Sequence, residues 1–144
     1  MSKQYLTWVD IEQAVDHFAK IYQKYDITHV VGINRGGLIP AVMLSHKLNV
    51  PHVPITISLR HSDIPIVDIS DRAKDIFDDE RNAIAVVDDI NDSGATFDNL
   101  YNKIEICATI YDMAIISKQS SQWTCDAFWI KPDSDEQWWV FPYE

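Results

Sequence analysis

Glycine is scarce in this chain of 144 residues: there are four, Gly32, Gly36, Gly37 and Gly94. Glycine is the residue that lets a backbone turn sharply or approach a ligand closely. Its confinement to the ends of apolar, β-rich runs therefore singles out two turns. Cysteine is rarer still. Cys107 and Cys125 have neither a paired framework nor metal-ligand spacing, so they read as small packing residues in a reduced, cytoplasmic protein. Basic residues number 12 against 22 acidic ones, a formal charge of −10. That balance excludes a general nucleic-acid binder, which needs clustered Lys and Arg for phosphate contacts, but leaves room for a small phosphorylated ligand. No apolar run approaches the length of a membrane span, and the opening Met-Ser-Lys-Gln-Tyr predicts no secretory leader. Repeats, low-complexity tracts and Pro/Gly/Ser linkers are absent, so one domain over 1–144 is expected. With 47% hydrophobic residues it has the material for a core, which excludes wholesale disorder.

What is present alternates. Residues 8–25 carry Ile11, Ala14, Val15, Phe18, Ile21, Tyr22 and Tyr25 on one helical stripe, with Thr7 placed to cap it. THVVGI at 28–33 reads as a buried strand, Asn34-Arg35-Gly36-Gly37 as a turn, and 38–48 as a helix that tolerates Pro40 in its first turn. HVPITIS at 52–58 reads as a strand in which Pro54 disfavours a central position. Residues 59–82 are charge-rich and lack a clear period, which predicts a long mobile excursion, helical in part. AIAVV at 83–87 has the continuous apolar character of a parallel-sheet strand. Phe97, Leu100, Tyr101 and Ile104 then mark a helix, and 109–117 and 126–130 two further strands. The expected fold is α/β, a doubly wound and mainly parallel sheet, in which ligands bind beyond the carboxyl ends of the strands. Both glycine turns fall at such ends.

The strongest signal runs from Ala85 to Phe97. An apolar strand ends in two carboxylates, Asp88 and Asp89, and a small hydroxyl-rich loop of Asp92, Ser93, Gly94, Ala95 and Thr96 leads into a helix. Backbone N–H groups of that loop, the Ser93 and Thr96 hydroxyls and the helix dipole suit a phosphate. The two acids repel a phosphate and suit sugar hydroxyls or the neighbourhood of a magnesium ion. A ribose carrying a 5-phosphate meets both demands. The bland alternative is a buried strand with an acidic turn and an ordinary helix cap.

This segment resembles the phosphoribosyl-pyrophosphate (PRPP) signature of type I phosphoribosyltransferases, with Ser93 where Thr is frequent and Ala95 where a second glycine is common. The order of elements is similar to the xanthine–guanine phosphoribosyltransferase branch over nearly the whole chain. Thr7-Trp8 opens the first helix, Asn34-Arg35-Gly36-Gly37 follows the first strand, Lys118 closes a late strand, and Trp138 to Glu144 resembles the branch's Trp-x-x-x-Pro-Trp-Asp/Glu ending.

The resemblance implies transfer of the phosphoribosyl group of PRPP to a 6-oxopurine, giving a nucleoside monophosphate and pyrophosphate, with Mg2+ as cofactor and a dimer or tetramer as the assembly. Arg35, Gly36 and Gly37 would bind pyrophosphate, in a turn where the family often has a non-proline cis peptide, here near Asn34–Arg35. A tight surface turn is the plainer reading of the same residues. Asp88, Asp89, Asp92, Ser93, Gly94, Ala95 and Thr96 would bind PRPP, the acid pair meeting the metal mainly through ligand and water. Asp92 would be the catalytic acid/base near purine N7, or else a helix N-cap. Lys118 would donate to the exocyclic oxygen at position 6, or else be a solvated lysine. Trp138 would stack on the base and Trp139 contact its position 2 edge through the main chain, unless both serve packing. Residues 59–82 would include a hood closing over PRPP, with Arg60 in reach of pyrophosphate and Ser58-Leu59-Arg60-His61 where the family often has Ser-Tyr. The five histidines show no metal-ligand spacing and read as surface or satisfied groups. A PRPP- or nucleotide-sensing module of the same fold is the main alternative from another class. A receiver-type signalling domain is set aside, because its acid pair belongs on the first strand.

Overall fold

The computed structural model describes residues 2–59 and 64–144. Its elements are, in order, β1 (Lys3–Tyr5), α1 (Trp8–Tyr22), β2 (His29–Asn34), α2 (Leu38–Leu48), β3 (His52–Ser58), β4 (Ile66–Asp68), α3 (Asp71–Phe77), β5 (Ala83–Asn91), α4 (Ala95–Lys103), β6 (Thr109–Ser117), β7 (Ala127–Ile130) and β8 (Trp138–Val140). Six strands form one sheet in the order β4-β3-β2-β5-β6-β7, parallel throughout except for the antiparallel edge pair β3–β4. The chain winds outward from β2 through β3 to β4, and from β5 through β6 to β7. The order therefore reverses between β2 and β5, the crevice where such sheets place ligands.

Alternation along the central strands supplies both faces. On β5, Ala85 and Val87 join the core beneath α1 and α2, while Ile84 and Val86 join the opposite core with α3 and α4. On β2, Val30 faces the first and Val31 and Ile33 the second. Burial on both faces is what makes these strands read as unbroken apolar runs. Pro54 is accommodated because β4 reaches only Thr56, Ile57 and Ser58, leaving the outer side of β3 unpaired at residue 54.

Thr7 caps α1 in a full capping box: its hydroxyl accepts from the Asp10 N–H at 3.2 Å, and the Asp10 carboxylate accepts from the Thr7 N–H at 2.7 Å. The expected helix over 8–25 ends at Tyr22, and Tyr25 lies beyond it, 43% exposed. The chain turns through Asp26 at φ 51°. The excursion over 59–82, expected to be helical in part, also holds an edge strand: β4 comes first, then α3, capped by Ser70 and anchored by buried Ala73, Ile76 and Phe77. The surrounding acids hid that i, i+3, i+4 stripe. Arg60 and His61 lie outside the described residues. A second correction concerns β5, expected over 83–87 with the acid pair at its end: it extends four residues past Val87, through Asp88 and Asp89 to Asn91. The two-stranded parallel ribbon of β1 and β8 was not foreseen; it pairs Lys3, Gln4 and Tyr5 with Trp138, Trp139 and Val140. Three-residue strands carry too little pattern to be legible.

Among the described residues no helix is long and apolar enough to cross a membrane.

Candidate active site

Three segments converge at the carboxyl ends of β2 and β5. The first is the turn Asn34 to Gly37, whose Asn34–Arg35 peptide is cis. Two consecutive glycines are needed here for close approach. A Cβ at Gly36 would overlap the Asp89 carboxylate, and one at Gly37 would overlap the Val87 carbonyl oxygen. The second is the acid pair. Asp88 is 7% exposed, and its Oδ1 accepts from the Asp89 N–H at 2.8 Å. Asp89 Oδ1 accepts in turn from the Ile90 N–H at 2.8 Å. These bonds orient both carboxylates at the strand end, beside the turn. The Arg35 guanidinium has no ion-pair partner among the described residues.

The third segment is the loop into α4. Gly94 is its N-cap, at φ 92°, a conformation that side chains rarely adopt. A Cβ there would lie 2.7 Å from both Cβ and N of Trp123. Ser93 Oγ accepts from the Ala95 N–H at 3.2 Å. Asp92 does not cap the helix, which removes the alternative role foreseen for it. Its carboxylate instead pairs with the Lys118 ammonium at 2.9 Å. Lys118 is no solvated strand-end lysine either, since its side chain is only 17% exposed.

A cleft of about 460 Å³ opens beside this loop, bounded by Asp92, Ser93, Gly94 and Ala95 on one side and Ser120, Gln122 and Trp123 on the other. The second wall, the turn between β6 and β7, was missed from sequence. A polar network holds it. Buried Asn91 donates through Nδ2 to Ser117 Oγ at 3.1 Å and to the Trp123 carbonyl at 2.6 Å, and its Oδ1 accepts from Ser121 Oγ at 2.8 Å. The Gln122 N–H donates to the Ser93 carbonyl at 3.0 Å. Behind the wall, Asp112 Oδ2 accepts from Tyr101 Oη and Trp123 Nε1, both at 3.1 Å. Burial raises the Asp112 pKa above the usual carboxylate range against the pull of these donors, and burial beside Asp112 raises that of Tyr101.

The C-terminal residues return to the same place. Tyr143 Oη donates to the Gly36 carbonyl at 3.0 Å, and its ring packs on Trp8 and Phe141. Trp138 lies on the exposed face of β8, 56% exposed, whereas Trp139 packs toward the core with a buried Nε1 that has no partner. Two further expectations need correction. His52 Nε2 is buried without a partner, and burial lowers its pKa. Cys107 is exposed and lies 3.2 Å from Asp78 Oδ1, while Cys125 packs as expected. No cluster of three or more metal-ligating side chains occurs among the described residues. The Asp88–Asp89 pair is nevertheless the donor set Mg2+ takes when phosphate oxygens and water complete its shell.

The mainly parallel sheet thus carries a glycine turn, an acid pair and a hydroxyl-rich loop at its switch point, where sheets of this class bind their ligands. The phosphoribosyl transferase domain model matches residues 1–143, and the chain belongs to that family. It is 32% identical over 124 residues to a xanthine-guanine phosphoribosyltransferase of Cereibacter sphaeroides, covering 80% of this chain and 68% of that one. The structure of a purine phosphoribosyltransferase from Pyrococcus horikoshii Ot3 superposes with a TM-score of 0.84 at 28% identity, covering 100% of this chain and 95% of that one. A hypothetical protein from Neisseria gonorrhoeae with bound ppGpp shares the fold with a TM-score of 0.78 at 19% identity, over 99% and 89% of the two chains.

Proposed function

We propose that this chain transfers the phosphoribosyl group of PRPP to a 6-oxopurine, guanine, xanthine or hypoxanthine, in purine salvage. The observation that carries the reading is the Lys118–Asp92 pair at 2.9 Å, set at the mouth of the loop that opens α4. It joins a donor for an exocyclic oxygen to an acceptor for a ring N–H, the pattern a 6-oxopurine presents and adenine does not. The C. sphaeroides and P. horikoshii relatives, both purine enzymes by name, favour the same class.

In this reading Ser93, Gly94, Ala95 and Thr96 hold the 5-phosphate, with backbone N–H groups and hydroxyls in place of a cation. Asp88 and Asp89 take the ribose diol. Arg35 and the Gly36–Gly37 backbone bind the pyrophosphate, the guanidinium matching two phosphoryl oxygens. When bound through Asp88, Asp89 and water, Mg2+ would neutralise charge on the diphosphate. The purine nitrogen forms its bond to the anomeric carbon as the bond to pyrophosphate breaks. Asp92 holds the proton at N7, Lys118 donates to the oxygen at position 6, Trp138 stacks on the ring and the Trp139 main chain meets the position 2 edge. A cytoplasmic homo-oligomer, dimer or tetramer, belongs to the same reading. So does a single domain over 1–144.

A sensing module of the same fold would bind PRPP or a nucleotide without turnover, and the N. gonorrhoeae protein holds ppGpp on this fold. The joint presence of Arg35, Asp92 and Lys118 favours the enzyme, because a sensor needs fewer of them. Product formation with a panel of guanine, xanthine, hypoxanthine and adenine at saturating Mg-PRPP separates the two. Turnover of at least one 6-oxopurine and little of adenine is expected; binding of PRPP without turnover of any base would overturn the proposal.

A further inference from the structure

The Gly36–Gly37 pair poses a physical problem. It has no side chains of its own to hydrogen-bond, and glycine has the most backbone freedom to lose on ordering. Beyond its close packing against Asp89 and Val87, its peptide groups must hold it. The peptide between the two glycines is in fact tied at both ends. Its N–H, on Gly37, donates to the Ile33 carbonyl at 2.9 Å. Its carbonyl, on Gly36, accepts from Tyr143 Oη at 3.0 Å, across 107 residues of sequence.

The donor is itself held firmly. The Tyr143 ring stacks on Phe141 at a centroid distance of 5.6 Å and 28° between planes, and tilts against Trp8 at 5.9 Å. Phe141 is 1% exposed, so the platform is part of the core. Burial, with Asp89 and then Asp88 nearby, raises the Tyr143 pKa, and the hydroxyl keeps its proton and remains a donor. Trp138 lies five residues upstream in the same tail. The tail therefore carries both a candidate base-stacking ring and the anchor of the turn.

Resting on the PRPP reading above, we propose that Tyr143 is the positioning residue of the pyrophosphate turn. Its hydroxyl fixes the plane of the Gly36–Gly37 peptide against Asp89 and so sets affinity for the diphosphate end of PRPP, without touching either substrate. Loss of the hydroxyl leaves the Gly36 carbonyl unanchored while the ring still fills its place.

Tyr143→Phe tests this. Mg-PRPP, and separately Mg-pyrophosphate, are titrated calorimetrically into the full chain and the variant, alongside steady-state kinetics and thermal melts. The expected result is a loss of about three- to tenfold in affinity for both diphosphates, the size of one net hydrogen bond. KM for PRPP rises in step while KM for the base stays close to wild type, and Tm falls by no more than the roughly 3–5 °C that one hydrogen bond contributes in a domain of this length. Unchanged diphosphate affinity overturns the proposal, as does an equal loss for PRPP and base accompanied by a larger fall in Tm, the signature of a merely structural role. Wild-type protein that binds Mg-PRPP but turns over no 6-oxopurine refutes the base assignment alone, and the titrations still decide Tyr143. Wild-type protein that binds neither diphosphate overturns both.

Discussion

Lys118→Met keeps the aliphatic stem of the lysine and removes its charge and donors. The structure separates two consequences. The ion pair to Asp92 is partly in water, since the Asp92 side chain is 70% exposed, so its loss costs the fold no more than about 1 kcal/mol. For a domain of this length that is a fall in Tm of roughly 3–5 °C at most. Recognition is hit harder. A hydrogen bond from a charged donor contributes about 1.5–3 kcal/mol, which predicts a drop of roughly 10- to 150-fold in kcat/KM for hypoxanthine and guanine. Adenine offers the ammonium no acceptor at position 6, so its low rate is unaffected or slightly raised, and KM for PRPP is unchanged. The assay is initial-rate nucleotide formation over a base series at saturating Mg-PRPP, with a thermal melt for each protein. An equal loss for all bases, or undiminished 6-oxopurine turnover in a folded variant, would refute the assignment of Lys118.

Gly36→Ala drives a methyl group into the Asp89 carboxylate, which can move only by surrendering its bond from the Ile90 N–H. At about 1–3 kcal/mol for such crowding, Mg-PRPP affinity falls by roughly 5- to 150-fold, read by calorimetry, and unaltered affinity would show that the turn does not face the ligand. Stability also depends on pH through His52, and through His29, whose pKa burial likewise lowers. Because the folded pKa lies below the ordinary 6.5, these groups favour the fold fully above pH 6.5, and that advantage is lost as pH falls through the folded value. Tm should therefore decline on acidification below 6.5, and His52→Gln should flatten the decline; an equally steep decline in that variant would assign the effect elsewhere.

The parallel sheet was legible because β2, β5 and β6 are buried on both faces and write that burial as continuous apolar runs. The loop into α4 was legible because Gly94 has a positive φ that few other residues adopt, and Gly36 and Gly37 because nothing larger fits beside β5. The helix over 71–77 was not. Its buried stripe is only Ala73, Ile76 and Phe77, diluted by charges that face water. Nor was the strand's continuation past the acid pair to Asn91, because a polar stretch there carries no strand pattern, although the ladder to β6 carries on through Asn91–Ser117. The wall of Ser120, Gln122 and Trp123 left no local signal at all. It is assembled by Asn91 and Asp112, whose partners lie 11 to 32 residues away in sequence. Tyr143 stood inside a recognised motif, yet its partner is 107 residues distant and only the fold reveals it.

The most direct measurement is a crystal structure of the full chain with Mg-PRPP bound. The account predicts the 5-phosphate seated on the backbone of residues 93–96, the ribose diol at Asp88 and Asp89, and the diphosphate against Arg35 and Gly36. A loop that stays empty at saturating ligand, or PRPP bound with its 5-phosphate elsewhere, would contradict it.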